Sequence, residues 1–255
     1  MSESIVLCEG YHDRAFWAGW LRYHGCTDPG APPPGGHRRA VVRDPWNDKV
    51  QAGQYAYRSA SGHFLRVVPC GGKQHLLPTA RDRLDNRFRK RLIRLVVCVD
   101  PDTSASGAGA GTGLKHQDVE RHIRQYIDAA AQVNAADEIE VDGGQTRVSL
   151  VRWEVADPSH PALPDQQALE RLVCSAIIAA YPARAQAVSQ WLASRPTPPP
   201  IDPKEHAWSY MAGWYAEHGC ESFYSNLWTD PRIVAELQTR LRASGAWQIV
   251  AAMAM

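Results

Sequence analysis

Apolar and polar positions along the chain follow two patterns: short unbroken apolar runs, and longer stretches whose apolar residues fall three and four apart. Ile5-Val6-Leu7-Cys8 is a run of the first kind and reads as a buried strand. The stretch after Glu9-Gly10 is of the second kind, with Phe16, Trp17, Trp20 and Leu21 on one helical face and an end at Gly25. Further strands are predicted over 63–68, 92–99 and 148–155, with a short one over 139–141 ahead of the turn residues Gly143-Gly144. Helices are predicted over 77–90, 115–133, 166–180, 183–193, 204–218 and 231–243. The helix over 166–180 carries Leu169, Leu172, Val173, Ile177 and Ile178 as its buried stripe. Residues 247–250 read as a short edge strand.

Strands alternating with helices, followed by a helical tail, indicate an α/β protein. At 255 residues the chain can bury a sizeable core. One domain over 1–255 is expected, with a helical C-terminal extension from about 204. It is interrupted at about 27–61, where Pro32-Pro33-Pro34-Gly35-Gly36 and weak periodicity predict an irregular insertion with a strand or hairpin around 39–42 and 54–58. No internal repeat is found.

Charge changes the picture only locally. The balance of 28 basic and 27 acidic residues produces no global field, so net charge argues for no nucleic-acid partner. The segment 81–94 concentrates Arg81, Arg83, Arg87, Arg89, Lys90, Arg91 and Arg94, either as a solvated helix face or as a phosphate-contacting surface. The six cysteines are scattered without a CxxC pair, which points to reduced core thiols. No apolar run approaches the ~18 residues of a membrane span. The start Met1-Ser2-Glu3-Ser4 is not that of a signal peptide, so a cytoplasmic location is expected.

The candidate chemistry lies at the ends of two apolar runs. Glu9 ends the first, and Asp13 follows four residues later as a candidate N-cap. Asp100 and Asp102 end the run over 92–99. Carboxylates at the carboxyl ends of buried strands stand where open α/β sheets place ligands, and crowded hard oxygens predict a divalent-cation site. The small-residue loop over 103–113 lacks the GxxxxGK[ST] order of a phosphate-binding loop and reads as a flexible cover. The ten histidines show no metal-ligand spacing.

Glu9-Gly10 with Asp13, then the pair Asp100 and Asp102, resembles the Toprim domain of topoisomerases, primases and OLD-family or stand-alone nucleases. The segments LPDQQALERLV, with Glu170, and DPKEHAWSYMAGW, with Lys204, are similar to the tail of the OLD-like families. The resemblance implies a Rossmann-like, mostly parallel sheet of about four strands flanked by helices. It further implies Mg2+ or Mn2+ held by Glu9, Asp13, Asp100, Asp102 and Glu170. Glu9, as ligand or general base, and Lys204, as electrophile, would be catalytic in a nuclease that cleaves DNA or RNA, as an effector of defence or repair. No ATPase domain accompanies these motifs, so ATP gating would come from a partner ATPase; a homo-oligomer is the other expected assembly. Two alternatives stand beside this one. Asp100-Pro101-Asp102-Thr103 also matches the DxDxT of haloacid-dehalogenase-type phosphatases, with Asp100 as nucleophile. The other is a Toprim-shaped module that binds without turnover.

Overall fold

The structure, a computed structural model, describes residues 2–28, 41–43, 50–85, 91–105, 113–196, 202–212 and 219–254. The chain divides into two compact units. The first comprises 1–98, 114–151 and 249–255, and the second 99–113 and 152–248.

The first unit is built on a seven-stranded sheet. Its centre is β1 (Glu3–Cys8), a strand buried at all six positions. On one side β1 pairs in parallel with β5 (Phe64–Pro69), and on the other with β6 (Leu92–Val99). Beyond β6 comes β9 (Thr146–Arg152). The Thr146 hydroxyl donates to the Leu92 carbonyl near the start of both strands, and Trp153 N–H donates to the Val99 carbonyl at their far end. The two strands therefore run the same way. These four strands are the parallel core, and their near-continuous apolar runs are what burial on both faces demands. Antiparallel strands complete the edges. β4 (Tyr55–Arg58) pairs with β5, while β8 (Ile139–Val141) pairs with β9 and with β7 (Gln132–Val133).

The sheet is thus mixed and larger than the sequence pattern indicates. The expected four strands correspond to the parallel core; β8 and β4 fall where 139–141 and 54–58 are read as strand, whereas β7, two residues long, carries no readable period. The described part of 27–61 is correspondingly less irregular than expected. It contributes β4 to the main sheet, and β2 (Val41–Arg43) pairs with β3 (Val50–Ala52) in a separate two-stranded sheet; 29–40 and 44–49 lie outside the described residues.

Helix α1 (Tyr11–Tyr23) buries Phe16, Trp17, Trp20 and Leu21 completely, with Trp17 and Trp20 stacked at 5.0 Å. Burial of such aromatic faces contributes roughly 2 kcal/mol each. Arg14 fixes the helix to β4: its guanidinium donates to the Gly53 carbonyl at 2.7 Å and lies 4.2 Å from the Tyr55 ring centroid. Helix α2 (Leu76–Leu84) and helix α3 (His116–Tyr126) complete this unit's principal helices. Of the predicted basic patch, Arg87, Arg89 and Lys90 lie outside the described residues. Arg94 is no surface charge: it is buried on β6, donating to Glu138 and, at 3.3 Å, to Ser149.

The second unit is helical and centred on α4 (Leu169–Ala180), whose residues from Leu169 to Ile177 are all buried. A helix buried on nearly every side must be enclosed by others. Around it pack α5 (Pro182–Ala193), α6 (Pro203–Ala212) and α8 (Pro231–Ala243), with α7 (Gly219–Asn226) between α6 and α8 in the chain. Buried Arg171 on α4 donates to the Pro164 and Asp157 carbonyls, and Arg240 on α8 reaches Ser175 and Asp157. The chain's last element, α9 (Ala246–Ala254), which from 249 on belongs to the first unit, corrects the expected edge strand over 247–250. A four-residue apolar run cannot separate strand from helix, but Ala246, Val250 and Met253 are buried at helical spacing. No helix among the described residues is long and apolar enough to cross a membrane.

The Arg94 and Glu138 pair gives a stability prediction. Burial raises the Glu138 carboxyl, but the hydrogen bond and charge of Arg94, with Ser149 and Asn134, outweigh it and hold the group below its ordinary 4.5. A depressed carboxylate stabilises the fold above its unfolded pKa, and that contribution is lost as pH falls through the folded value. Glu138→Gln should therefore lower stability by about 3 kcal/mol at neutral pH. Urea unfolding of both proteins should show the gap narrowing as pH drops below 4.5.

Candidate functional site

Within the parallel core the chain runs from β1 to β5 on one side, then crosses to β6 on the other. The strand order therefore reverses between β1 and β6. Open α/β sheets bind ligands in the crevice outside the carboxyl ends of the strands at such a reversal. β1 ends at Cys8 and β6 at Val99, so Glu9 and Asp100 are the first residues after these two neighbouring parallel strands.

At the β1 end, Gly10, not Asp13, is the N-cap of α1. Asp13 sits three residues further on and turns back, accepting the Gly10 N–H at 3.2 Å from a buried position. The expectation that Asp13 caps the helix is corrected: it closes the cap from inside, where a carboxylate also meets the helix dipole. The loop after β5 folds against Glu9. Gly71 and Gly72 donate their N–H groups to the Glu9 carbonyl at 3.0 and 2.9 Å, and Cys70 donates to Cys8 at 2.8 Å. Gly72 has a φ of +123°, and a Cβ there would meet the Gln74 side chain at 2.8 Å. This tight turn carries Lys73, whose Nζ lies 3.9 Å from Glu9 Oε1. Sequence reasoning missed Lys73. The available signal was its place after an apolar strand and a double glycine, three residues further from the strand end than Glu9 and Asp100 are from theirs.

Two thiols border this carboxylate. Burial pushes the Cys8 thiol well up, with Asp13, Cys70 and Glu9 adding to the effect and Arg14 opposing it. Burial likewise raises Cys70, and Glu9 adds to it while Thr79 and Arg83 oppose it. With no metal beside them, both directions favour the neutral thiol over the nucleophilic thiolate at neutral pH. Cys8, Cys26, Cys70, Cys98 and Cys174 are all free, as expected of reduced core thiols.

In the second unit, the segment after β6 is zipped to the segment leading into α4. Gln167 N–H donates to the Thr103 carbonyl at 2.8 Å, Asp102 N–H to Gln167 at 3.1 Å, and Ala105 N–H to Asp165 at 2.8 Å. Asp100 Oδ1 accepts the Leu169 N–H at 2.8 Å, at the first turn of α4, where an anion offsets the orphan donors. Asp102 has a φ of +55° and accepts Gln166 Nε2 at 2.6 Å. Left-handed backbone is uncommon outside glycine, though aspartate tolerates it better than most residues. Gly113 approaches Pro101 so closely that a Cβ would lie 2.3 Å from the Pro101 carbonyl oxygen. Glu170, next to Leu169, is buried and accepts the Tyr224 hydroxyl at 3.1 Å. Lys204 is exposed near the start of α6, where its N–H donates to Asp202.

Glu9 and Asp13 thus flank one turn in the first unit, with Lys73 beside Glu9. Asp100, Asp102 and Glu170 are tied to a single segment of the second unit, and Lys204 stands at a helix start. Among the described residues no three His, Cys, Asp or Glu side chains form a group able to hold a metal by themselves. These donors do suit a smaller demand. Mg2+ keeps several waters and commonly takes only one or two carboxylates, its remaining positions filled by phosphate oxygens.

No family model and no curated protein matches the chain. The fold is similar to that in the crystal structure of a hypothetical protein from Pyrococcus horikoshii, with a TM-score of 0.67 over 100% of both chains at 14% identity. At that identity the likeness concerns the fold alone.

The closeness of Gly113 to Pro101 makes the Asp100-Pro101-Asp102 turn sensitive to one methyl group. Gly113→Ala should cost about 2 kcal/mol. Thermal unfolding should register this as a midpoint lowered by about 5 °C.

Proposed function

We propose that the protein is a divalent-cation-dependent phosphodiesterase acting on nucleic acid. One observation carries the reading: Glu9 and Asp100 each follow directly on the carboxyl ends of β1 and β6, the neighbouring parallel strands between which the strand order reverses. The sequence likeness to Toprim domains supports it, since the same two positions carry the resemblance.

In this reading Asp100 and Asp102 supply hard oxygens for Mg2+ or Mn2+, which when bound neutralises charge on the phosphoryl oxygens. Asp100 brings a pre-set geometry, because its hydrogen bond to the first turn of α4 fixes its rotamer. Glu9 is the candidate general base. The ammonium of Lys73, 3.9 Å from Glu9 Oε1, is a candidate electrophile for the charge that develops on phosphate. Asp13 and Glu170 act as positioning residues, Asp13 through the α1 cap and Glu170 through Tyr224.

The test is cleavage of single-stranded and duplex DNA and RNA with Mg2+ or Mn2+, followed on gels. Turnover should require the cation and cease with chelator. Glu9→Gln and Asp100→Asn should each lower the rate about 100-fold or more. Lys73→Ala should lower kcat about 100-fold, and Lys73→Arg should recover part of it. Absence of cleavage across all four substrates with either ion would overturn the reading.

A further inference from the structure

The segment zipped to the Asp100-Pro101-Asp102 turn also walls a cavity of about 310 Å³ in the second unit. Ser159, His160, Pro161, Leu163, Asp165 and Arg171 line it. Asp165 ties this wall to the turn. Its Oδ2 accepts the Ser104 hydroxyl, its carbonyl accepts the Ala105 N–H at 2.8 Å, and the next residue, Gln166, donates to Asp102 at 2.6 Å. Arg171 is 0% exposed, and two of its nitrogens donate to the Pro164 and Asp157 carbonyls. Its third nitrogen, Nε, is buried with no hydrogen-bond partner. Folded proteins keep few such donors, and each calls for an acceptor.

The charge of Arg171 is already answered. Burial pushes the guanidinium below its ordinary value, while Asp165 and Asp157 act on it in the opposite sense. What the wall lacks is an acceptor for Nε, not a counter-ion. Phosphate would supply the acceptor but bring a further anion towards two carboxylates, and a hydrocarbon would supply none. A neutral heterocycle that carries an acceptor and an N–H donor on one edge suits both Arg171 and Asp165, and Pro161 and Leu163 offer apolar contact to its faces. Nucleobases have such edges. A cavity at the small end of the range for ligand pockets, about 300–1,000 Å³, suits one ring system. We propose that this cavity receives one unpaired nucleobase of the nucleic-acid substrate, its acceptor atom meeting Arg171 Nε and its N–H meeting Asp165. Pairing occupies those edges in a duplex, so the pocket favours a single strand. The proposal rests on the nucleic-acid reading above and sets the base beside the Asp100-Asp102 turn.

Saturation-transfer NMR titrations of the full chain with adenosine, guanosine, cytidine and uridine, in chelator so that no cation takes part, test it. One nucleoside should bind about tenfold more tightly than the least favoured. Arg171 holds two backbone carbonyls, so the variants are made at other lining positions. Asp165→Asn, which can still accept from Ser104, should weaken the preferred nucleoside about tenfold. Ser159→Trp, at an exposed position, should abolish its binding by filling the cavity. Binding of none of the four, or affinities unchanged in both variants, overturns the proposal. Displacement of the nucleoside by inorganic phosphate also overturns it and makes the cavity an anion site. The cleavage assay separates the two readings. Cation-dependent cleavage without nucleoside binding overturns this proposal alone. Nucleoside binding that responds to both variants, in a chain that cleaves none of the four nucleic acids, supports it and overturns the nuclease reading.

Discussion

A strand paired on both edges cannot slip by one residue without turning its side chains to the opposite faces of the sheet. β1 is held in this way, with Leu7 opposite Val68 on one side and Val97 on the other. All six of its residues are buried, so a slip would exchange the apolar contacts of both faces as well as both hydrogen-bond ladders. The placement of Glu9 follows from this constraint. Because the register is fixed and the ladders are parallel, the carboxyl ends of β5, β1 and β6 emerge along one edge. Each is followed within a few residues by a charged side chain: Lys73, Glu9 and Asp100.

The carboxylates also have structural duties, and these shape what they can do chemically. Asp13 accepts an N–H at the start of α1, and Asp100 accepts one at the start of α4. Such bonds lock the rotamer. Asp102 bends in the left-handed region, a conformation that costs of order 1 kcal/mol, and the zipper between 102–105 and 165–167 offsets it. A site assembled from groups already tied down needs little reordering when ligand arrives. The consequence is that replacing any of them perturbs a helix start or a turn as well as the chemistry. Isosteric changes such as Asp100→Asn therefore inform more than truncation to alanine.

Legibility in the sequence tracked the length of each periodic signal. β1, β5, β6 and the helices over Leu169–Ala180 and Pro231–Ala243 were plain, because each carries an unbroken apolar run or a full helical stripe. The strand of three residues over Ile139–Val141 was found only because Gly143-Gly144 marks its turn, whereas β2, β3 and β7 have neither run nor marker. Residues 247–250 were misread because four apolar residues fit both periods. The strand-end acids were readable since position after an apolar run is itself a sequence property. The cap of α1 was not: Asp13 looked like an N-cap by type, but Gly10 takes that place and Asp13 serves from the third helical position. Lys73 escaped because it pairs with Glu9 through a turn that only the β1 and β5 register brings alongside.

The nature of the donors also argues for which ion such a site would take. Zinc sites are made of thiolates, imidazoles and carboxylates closed into a four-ligand shell. Here the sulfur nearest Glu9 belongs to Cys8 and Cys70, whose thiols burial holds in the protonated form, and the neighbouring carboxylates raise them further. Making either a thiolate would add negative charge beside Glu9 in a buried setting, which is costly. What remains is oxygen, from carboxylates attached to backbone that is already fixed. Few hard ligands held rigidly leave coordination positions for water and phosphate, and a cation that keeps its water accepts this arrangement most readily. The proposed preference for magnesium or manganese follows from the chemistry of the strand ends, independently of any likeness to a family.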